Sequence, residues 1–372
     1  MVKQKVLLAL SGGVDSSVAA MLLQKKGYEV IGAFMKNWSD TKNKITGECQ
    51  WKEERRYAEK VASLLGIELI TLDFERQYKS WVVDEMFKKY KKGITPNPDV
   101  DCNQKIKFPL LIKEAKKRGI DLVATGHYIR VKKVGDKYEL LRARDEMKDQ
   151  SYFLYMLKQD ELRHCLFPIG DYTKKETREI AKKNKFPNFD KKGTVGICFI
   201  GKINLKTFLE KKIKNKKGKI LDPDGNIVGE HDGIFYYTIG QRTGPRFDLN
   251  ISHESERGGD QKRWYVAKKD AKKNILVVAP EGHKILFRKD IIIRNFYLID
   301  ENIKDYKKFT EKKSKNILVR IRQVGELMPG KLFYQSGKMK LLLDKAITGV
   351  SDGQAVVLYN GEKVLGGGTI WS

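Results

Sequence analysis

Short apolar runs alternate with stretches of helical period over the first half of the chain. Residues 6–10 read as a strand and Val18-Ala19-Ala20-Met21-Leu22-Leu23 as the apolar heart of a helix, with the turn Ser11-Gly12-Gly13-Val14-Asp15-Ser16-Ser17 between them. Gly27 ends a turn, residues 28–35 predict a second strand, and the polar stretch 39–50 predicts a loop. Tyr57, Val61, Leu64 and Leu65 share one helical face that Gly66 stops, and residues 67–74 return as a strand. Tyr78, Trp81, Val82 and Met86 mark the next helix, closed by Gly93, and Ile106, Phe108 and Leu111 mark another. Residues 121–125 form a short strand, 129–134 and 137–141 a hairpin about Gly135-Asp136, and 174–183 a charged helix. Alternation of this kind predicts an α/β fold in which helices cover a parallel sheet.

The texture then changes. From Lys211 to Lys219 six of nine residues are lysine. Beyond them apolar stretches shorten between turn signals such as Asp222-Pro223-Asp224-Gly225, Asp232-Gly233, Asp352-Gly353 and Asn360-Gly361, which predicts two small antiparallel β domains divided near Lys273. The expected division is 1–205, 206–273 and 274–372.

Composition narrows the setting. Of 372 residues 41% are hydrophobic, and no apolar run approaches the roughly 20 residues that span a bilayer. Residues 6–10 are too short for a signal-peptide core, so a cytoplasmic protein is expected. The net charge of +27 implies a polyanionic partner, and nucleic acid is favoured over membrane because no basic amphipathic anchor or lipidation signal is evident. The four cysteines, Cys49, Cys102, Cys165 and Cys198, form no Cys-x-x-Cys pair, so no metal site is expected of them.

Several segments carry candidate chemistry. Adjacent glycines after a first strand let backbone N–H groups approach phosphate, although Ser-Gly-Gly is also ordinary turn material and Asp15 or Ser16 an ordinary helix cap. There is no Gly-Lys-Ser/Thr ending, which disfavours transfer of a terminal phosphate. In Thr95-Pro96-Asn97-Pro98-Asp99-Val100-Asp101-Cys102-Asn103, a thiol close to a helix start with Lys105 and Lys107 downstream is expected to have a lowered pKa, with Asp99 as a nearby proton acceptor or donor; the alternative is a cysteine packed under a turn. Gly126 and His127 follow a strand and are placed to line a pocket. Lys148-Asp149-Gln150-Ser151-Tyr152-Phe153 suits phosphate and base contacts or caps the next helix. Gly193-Thr194-Val195-Gly196-Ile197-Cys198-Phe199-Ile200 is either a core strand or a glycine-flanked loop whose cysteine meets Cys102 over one pocket. Gly240-Gln241-Arg242 and Arg320-Ile321-Arg322-Gln323 offer guanidinium groups for phosphates, and Gln354, read as lying in a strand, offers an amide for a base.

These segments, in this order, resemble the tRNA-specific 2-thiouridylase family of the ATP pyrophosphatase superfamily. The likeness runs nearly end to end, including Tyr359-Asn360-Gly361-Glu362 and Gly366-Gly367-Gly368. It implies an adenine-nucleotide alpha-hydrolase-like catalytic domain followed by two small β domains, the last a barrel. It implies ATP with magnesium as cofactors, bound through Ala9, Leu10, Ser11, Gly12, Gly13, Val14, Asp15, Ser16, Met35 and Gly126, with Asp15 helping to hold the metal.

The implied reaction adenylates the C2 oxygen of a wobble uridine and then transfers sulfur. By the resemblance Cys198 carries a persulfide from a sulfur-relay protein or cysteine desulfurase. Cys102 either frees sulfide or resolves the resulting disulfide, and Asp99 is the acid/base. Asn97, Pro98 and Asp99 would flank a flipped base, while His127, Lys148, Asp149, Gln150, Arg320, Ile321 and Gln354 match positions that touch tRNA or the site. A monomer is expected.

Two places depart from the pattern. Asp101 stands beside the proposed nucleophile, where it is expected to raise the thiol's pKa, and residues 245–259 lack an expected glycine-rich turn. The competing readings are a small-molecule adenylating ligase of the same superfamily, which leaves two placed cysteines and the charge unexplained, and a basic RNA-binding module without turnover. A 4-thiouridine synthase is expected to carry an RNA-binding domain before the loop, which here starts at residue 11.

Overall fold

The structure is a computed structural model that describes residues 3–40, 49–193, 196–201, 204–243, 248–249, 263–300, 309–310, 312, 314–323 and 325–371. Thr194, Val195 and, apart from the backbone of Asp248–Leu249, the departing segment 245–259 lie outside the described residues.

The first sheet is parallel, with strands β1 (Lys5–Ala9), β2 (Glu29–Lys36), β3 (Glu68–Asp73), β4 (Leu122–Ala124) and, after the hairpin β5 (Arg130–Val134) and β6 (Lys137–Leu141), β7 (Cys165–Leu166) in the order β3-β2-β1-β4-β7. Strand β1 is central, and its apolar run serves both faces. Leu7 packs into one core with Ala33 and Met35, while Val6 and Leu8 pack into another with Val18 and Ala19 of the helix Val14–Lys25. Strand order reverses between β1 and β4, so the loops leaving their carboxyl ends, Ser11–Gly13 and Thr125–His127, face one crevice. No helix among the described residues is long and apolar enough to cross a membrane.

Two helical runs are interrupted by π-helical turns, at Lys79–Val83 and at Asn103–Lys107. The second follows the helix Pro98–Cys102 directly and leads into Phe108–Lys117, so Cys102 lies inside a continuous helical run and not at its start. The run begins at Asn97, whose side chain accepts from the Val100 N–H, with Pro98 in the first turn where its missing donor costs nothing.

The lysine-rich run leads into a second sheet of β8 (Gly218–Leu221), β9 (Ile227–His231), β10 (Asp248–Leu249), β11 (Trp264–Asp270) and β12 (Ile275–Pro280), in the order β10-β9-β8-β12-β11. It is mixed and not wholly antiparallel as expected, because β12 pairs parallel with β8. Strand β12 also lies beyond Lys273, so this sheet does not end where a division was expected.

Strands β13 (Phe287–Leu298), β14 (Lys315–Arg320), β15 (Met328–Gln335), β16 (Lys338–Thr348), β17 (Ala355–Asn360) and β18 (Lys363–Trp371) close into an antiparallel barrel through β13 and β18, around Ile293, Val319, Leu341, Val356 and Ile370. Closure removes the sheet edges. The hairpin β5–β6 extends this sheet by pairing Leu141 with Lys363.

All three parts meet at Thr95. Its N–H donates to the Asp352 carbonyl at 3.1 Å, its Oγ1 lies 3.5 Å from Thr238 Oγ1, and its carbonyl accepts from Gln354 Nε2 at 3.0 Å. A Cβ on Gly353, whose φ is +90°, would stand 2.6 Å from the Thr95 carbonyl oxygen, so glycine is required for the barrel to approach this closely.

Candidate active site

The helical run from Pro98 and the turn after Gly196 bring the two cysteines together, with Cys102 Sγ 3.6 Å from Cys198 Sγ and donating to it. All four cysteines are free. The Cys198 backbone is held from both sides: its N–H donates to Asp99 Oδ1 at 2.8 Å, and the Tyr78 hydroxyl donates to its carbonyl. Phe199 beside it has φ of +63°, a left-handed conformation that a bulky residue keeps only when its surroundings impose it.

Electrostatics reverses one sequence expectation. Burial, the hydrogen bond to Cys198 and the charge of that neighbour push the Cys102 thiol well above its ordinary value, since Cys102 is enclosed in the helical run. Cys198 is the lowered thiol: the S–H of Cys102 is the largest cause, burial opposes it, and Lys107 adds to it. Asp101 does not have the expected effect, because its carboxylate turns to Lys89 at 3.0 Å and Lys105 at 2.9 Å. The acid facing the sulfurs is Asp99, whose carboxyl is raised by burial against the opposing pull of the Cys198 N–H and Lys107.

Beside this group opens a cavity of about 380 Å³ lined by Pro96, Asn97, Pro98, Asp99, Tyr152 and Gln354. Gln354 stands one residue before β17 rather than in it, and its amide donates to the carbonyls of Thr95 and Pro96, at 3.0 and 2.9 Å. The amide therefore fixes the wall of the cavity.

Across the crevice, Ser11 and Ser16 join their hydroxyls at 3.1 Å, and Ser16 donates to the Gly13 carbonyl at 3.0 Å. No side chain caps the helix Val14–Lys25, which leaves its first-turn N–H groups for an anion. A Cβ on Gly126 would lie 2.6 Å from Ser16 N, so glycine lets the two loops touch. Leu10 and Met35 are buried behind the loop, and Ala9 ends β1. Asn188 Nδ2 braces the loop by donating to the Gly12 carbonyl at 2.9 Å and to Ser17 Oγ at 3.0 Å. This arrangement fits nucleotide phosphates.

It does not fit a protein-built magnesium site at Asp15. That carboxylate already accepts from Lys174 Nζ at 2.6 Å and Tyr128 OH at 2.9 Å, and no cluster of three metal-ligating side chains occurs among the described residues.

Several expected tRNA contacts turn inward. Asp149 is fully enclosed, taking Arg320 Nη1 and Ser151 Oγ, each at 2.8 Å, and the N–H groups of Ala143 and Ser151. Arg320 is equally buried, because a guanidinium and a carboxylate leave water together only as a pair. Ile321 is buried and its carbonyl accepts from Tyr152 OH at 3.2 Å, while Gln150 Oε1 accepts from the Tyr128 N–H at 2.8 Å. His127 is buried between Thr125 and Lys107, and its pKa is held well below the ordinary value by burial and by Lys107. Lys148 stands exposed.

Sequence reasoning missed Lys174, Asn188, Tyr78 and the true position of Lys107. Only Lys107 had a readable signal, five residues after Cys102, and the π turn moves it off the face that helical spacing assigns. Cys165 is buried in β7 with its thiol raised by burial, and Cys49 Sγ contacts only the Ser39 carbonyl among the hydrogen bonds described.

The parallel sheet, its uncapped loop and two neighbouring thiols beside a cavity define an α/β protein of nucleotide-binding type that carries a close cysteine pair. Family models agree in covering the chain in three parts: a tRNA methyl transferase HUP domain over residues 4–202, a tRNA methyl transferase PRC-barrel domain over 206–280, and an aminomethyltransferase beta-barrel domain over 288–370. The tRNA-specific 2-thiouridylase MnmA of Bacillus subtilis (strain 168) is 42% identical over 373 residues, spanning 98% of this chain and 94% of that protein. The protein of the same name from Listeria monocytogenes serovar 1/2a is 42% identical over 366 residues, with the same coverage of both chains. A 4-thiouridine synthetase–RNA complex with bound ATP is 15% identical, covers 56% of this chain and 50% of its own, and has a TM-score of 0.34, a likeness too slight to bear on the chemistry. The chain belongs to the tRNA-specific 2-thiouridylase family.

Proposed function

We propose that this chain makes 2-thiouridine at the wobble position of tRNA, using ATP and a cysteine persulfide. The observation that carries the reading is the 3.6 Å approach of Cys102 and Cys198 beside Asp99 and the cavity. ATP supplies the adenylyl group that makes the uridine C2 oxygen a leaving group, with pyrophosphate released. The uncapped N–H groups at Val14 to Ser16 would hold the phosphates, and Lys174, from a helix packed on the loop, brings a cation to a site without a Walker lysine. Magnesium belongs to the proposal only as a companion of the phosphates.

The cavity walls Asn97, Pro98 and Tyr152 are suited to a base turned out of its stack. Asp99, its carboxyl raised by burial, is placed to exchange a proton there. Cys198, the more acidic thiol, takes the outer sulfur of a donor persulfide, and the donor leaves as a thiol. Cys102 then attacks Cys198 to free sulfide, or resolves the species formed after the persulfide has attacked. Either way a C2–S bond replaces the C2–O bond, AMP leaves, and the cysteines end as a disulfide that an external thiol reduces. The net charge of +27 and exposed Lys148 suit the tRNA backbone. The proposal extends to a cytoplasmic monomer fed by a sulfur-relay protein or cysteine desulfurase.

The test is nucleoside mass spectrometry on unmodified tRNA incubated with the protein, ATP, magnesium and a persulfide donor, beside Cys198→Ser. Sulfur-for-oxygen exchange at the wobble uridine, lost in the variant, is expected. Unchanged tRNA with a donor shown to be active would overturn the reading.

A further inference from the structure

Arg322 follows the buried Ile321 at the end of β14 and, unlike Arg320 two residues earlier, it is exposed. It lines the cavity that Asp99 and Gln354 also line, and among the described lining residues it is the one cation. The backbone around it is shaped to hold it. Its Nη2 donates to the Thr348 carbonyl at 2.9 Å. A Cβ on Gly349, whose φ is +70°, would fall 1.6 Å from that nitrogen, so only glycine leaves room for the guanidinium. Gly240, at φ +83°, reaches the same turn from the middle part of the chain, and a Cβ there would stand 2.5 Å from the Gly349 Cα and 3.6 Å from Nη2.

Two glycine turns from different parts of the molecule thus frame one guanidinium. Among the described residues its hydrogen bond to Thr348 uses one of the five donors of the group, and no carboxylate stands within ion-pair reach of it. Neighbouring cations are differently placed: Lys89 and Lys105 hold Asp101, and Lys206, next to the lining residue Leu205, holds Asp232. The carboxylate of the cavity itself, Asp99, is taken by the Cys198 N–H. A guanidinium fixed at one nitrogen with the rest of its fork open suits the paired oxygens of a phosphate.

The walls of the cavity at Pro96, Pro98, Tyr152 and Phe153 can receive a base but not its phosphates, whose charge stays in water unless it is paired. A nucleotide that turns its base inward therefore leaves a phosphate at the opening. We propose that Arg322 holds the backbone phosphate next to the base that occupies the cavity, and so anchors the target nucleotide from outside. The inference rests on the tRNA reading above and deepens it, since Arg320 and Ile321, the residues expected to touch tRNA here, are buried.

The experiment measures binding of the intact protein to anticodon stem-loop RNAs over a range of salt, without ATP or a sulfur donor. One RNA is unaltered, and two others carry a neutral methylphosphonate on the 5′ or the 3′ side of the wobble uridine. One of the neutral RNAs is expected to bind the wild type roughly 10-fold more weakly than the unaltered RNA. Arg322→Met should lose a similar factor on the unaltered RNA, lower the salt slope by about 0.7, and lose little more on the neutral RNA. Arg322→Lys should keep the slope and part of the affinity. Losses that add in full, or an unchanged affinity and slope in a folded Arg322→Met protein, would overturn the proposal.

Should that variant fail to fold, phenylglyoxal modification of the wild type decides. Read at the Arg322 peptide by mass spectrometry, modification should slow when the stem-loop is bound, and an equal rate with and without bound RNA would refute the contact. A wild type that binds none of the RNAs would overturn the tRNA reading and this contact with it. Binding that is indifferent to Arg322 removes this inference alone.

Discussion

Cys102 and Cys198 stand 3.6 Å apart sulfur to sulfur, inside hydrogen-bond reach for sulfur and well beyond the roughly 2.05 Å of a disulfide. About 1.5 Å of closure separates the two states, which the turn carrying Cys198 has to supply.

Mild oxidation should therefore join these two before any other pair. Non-reducing peptide mapping is expected to show the peptides of Cys102 and Cys198 linked while Cys49 and Cys165 remain thiols, since Cys165 is buried in the parallel sheet with its thiol raised. A linkage that included Cys49 or Cys165 in the folded protein would show that the pair is not poised as described.

The buried pair Asp149–Arg320 ties the first domain to β14 of the barrel. Removing one partner leaves an uncompensated buried charge, so Asp149→Ala should lower stability by about 3–5 kcal/mol in chemical denaturation. Arg320→Met should also destabilise. If Arg320 instead served tRNA directly, its substitution would weaken tRNA binding with stability unchanged.

Much of the first domain could be read from residue order, because a parallel sheet writes itself as apolar runs alternating with helices. Residues 6–10, 28–35 and 67–74 fall on β1, β2 and β3 to within a few residues. The meeting of Cys102 and Cys198 was one of two open alternatives, and the structure decides it. The direction in which burial and neighbours move each thiol was not legible, because helical spacing cannot anticipate a π turn, and burial outweighs a lysine nearby in sequence. Nor was the inward turn of Asp149 and Arg320, which depends on a contact between segments 171 residues apart. A charged side chain reads as a surface group until its partner is known.

Gln354→Ala tests the idea that the barrel supports the cavity wall. The substitution removes both bonds to the Thr95 and Pro96 carbonyls, each worth about 0.5–1.5 kcal/mol. Stability should fall by about 1–3 kcal/mol, and sulfur transfer should fall further than ATP affinity, because the wall is loosened while the phosphate loop is untouched. Equal losses in both, measured by tRNA thiolation and by nucleotide titration, would argue against a local role.

Asp99 gives a pH dependence whose sign can be worked out. Its carboxyl is raised chiefly by burial, so between its unfolded and folded pKa values the folded chain binds more protons than the unfolded one. The stability it contributes is fully present below the unfolded pKa and is lost as pH rises through the folded pKa. Asp99→Asn keeps the shape and a hydrogen-bond acceptor for the Cys198 N–H without the ionisation. Its melting temperature should therefore decline less than that of the wild type as pH rises across that window, leaving the variant the more stable protein at neutral pH. Thiolation should nevertheless be lost, because the amide cannot exchange the proton. Parallel melting curves for the two proteins across this range would show that burial does not set this carboxyl. A variant that is stabilised and inactive would place the cost of an ionised Asp99 where the chemistry needs it, beside Cys198.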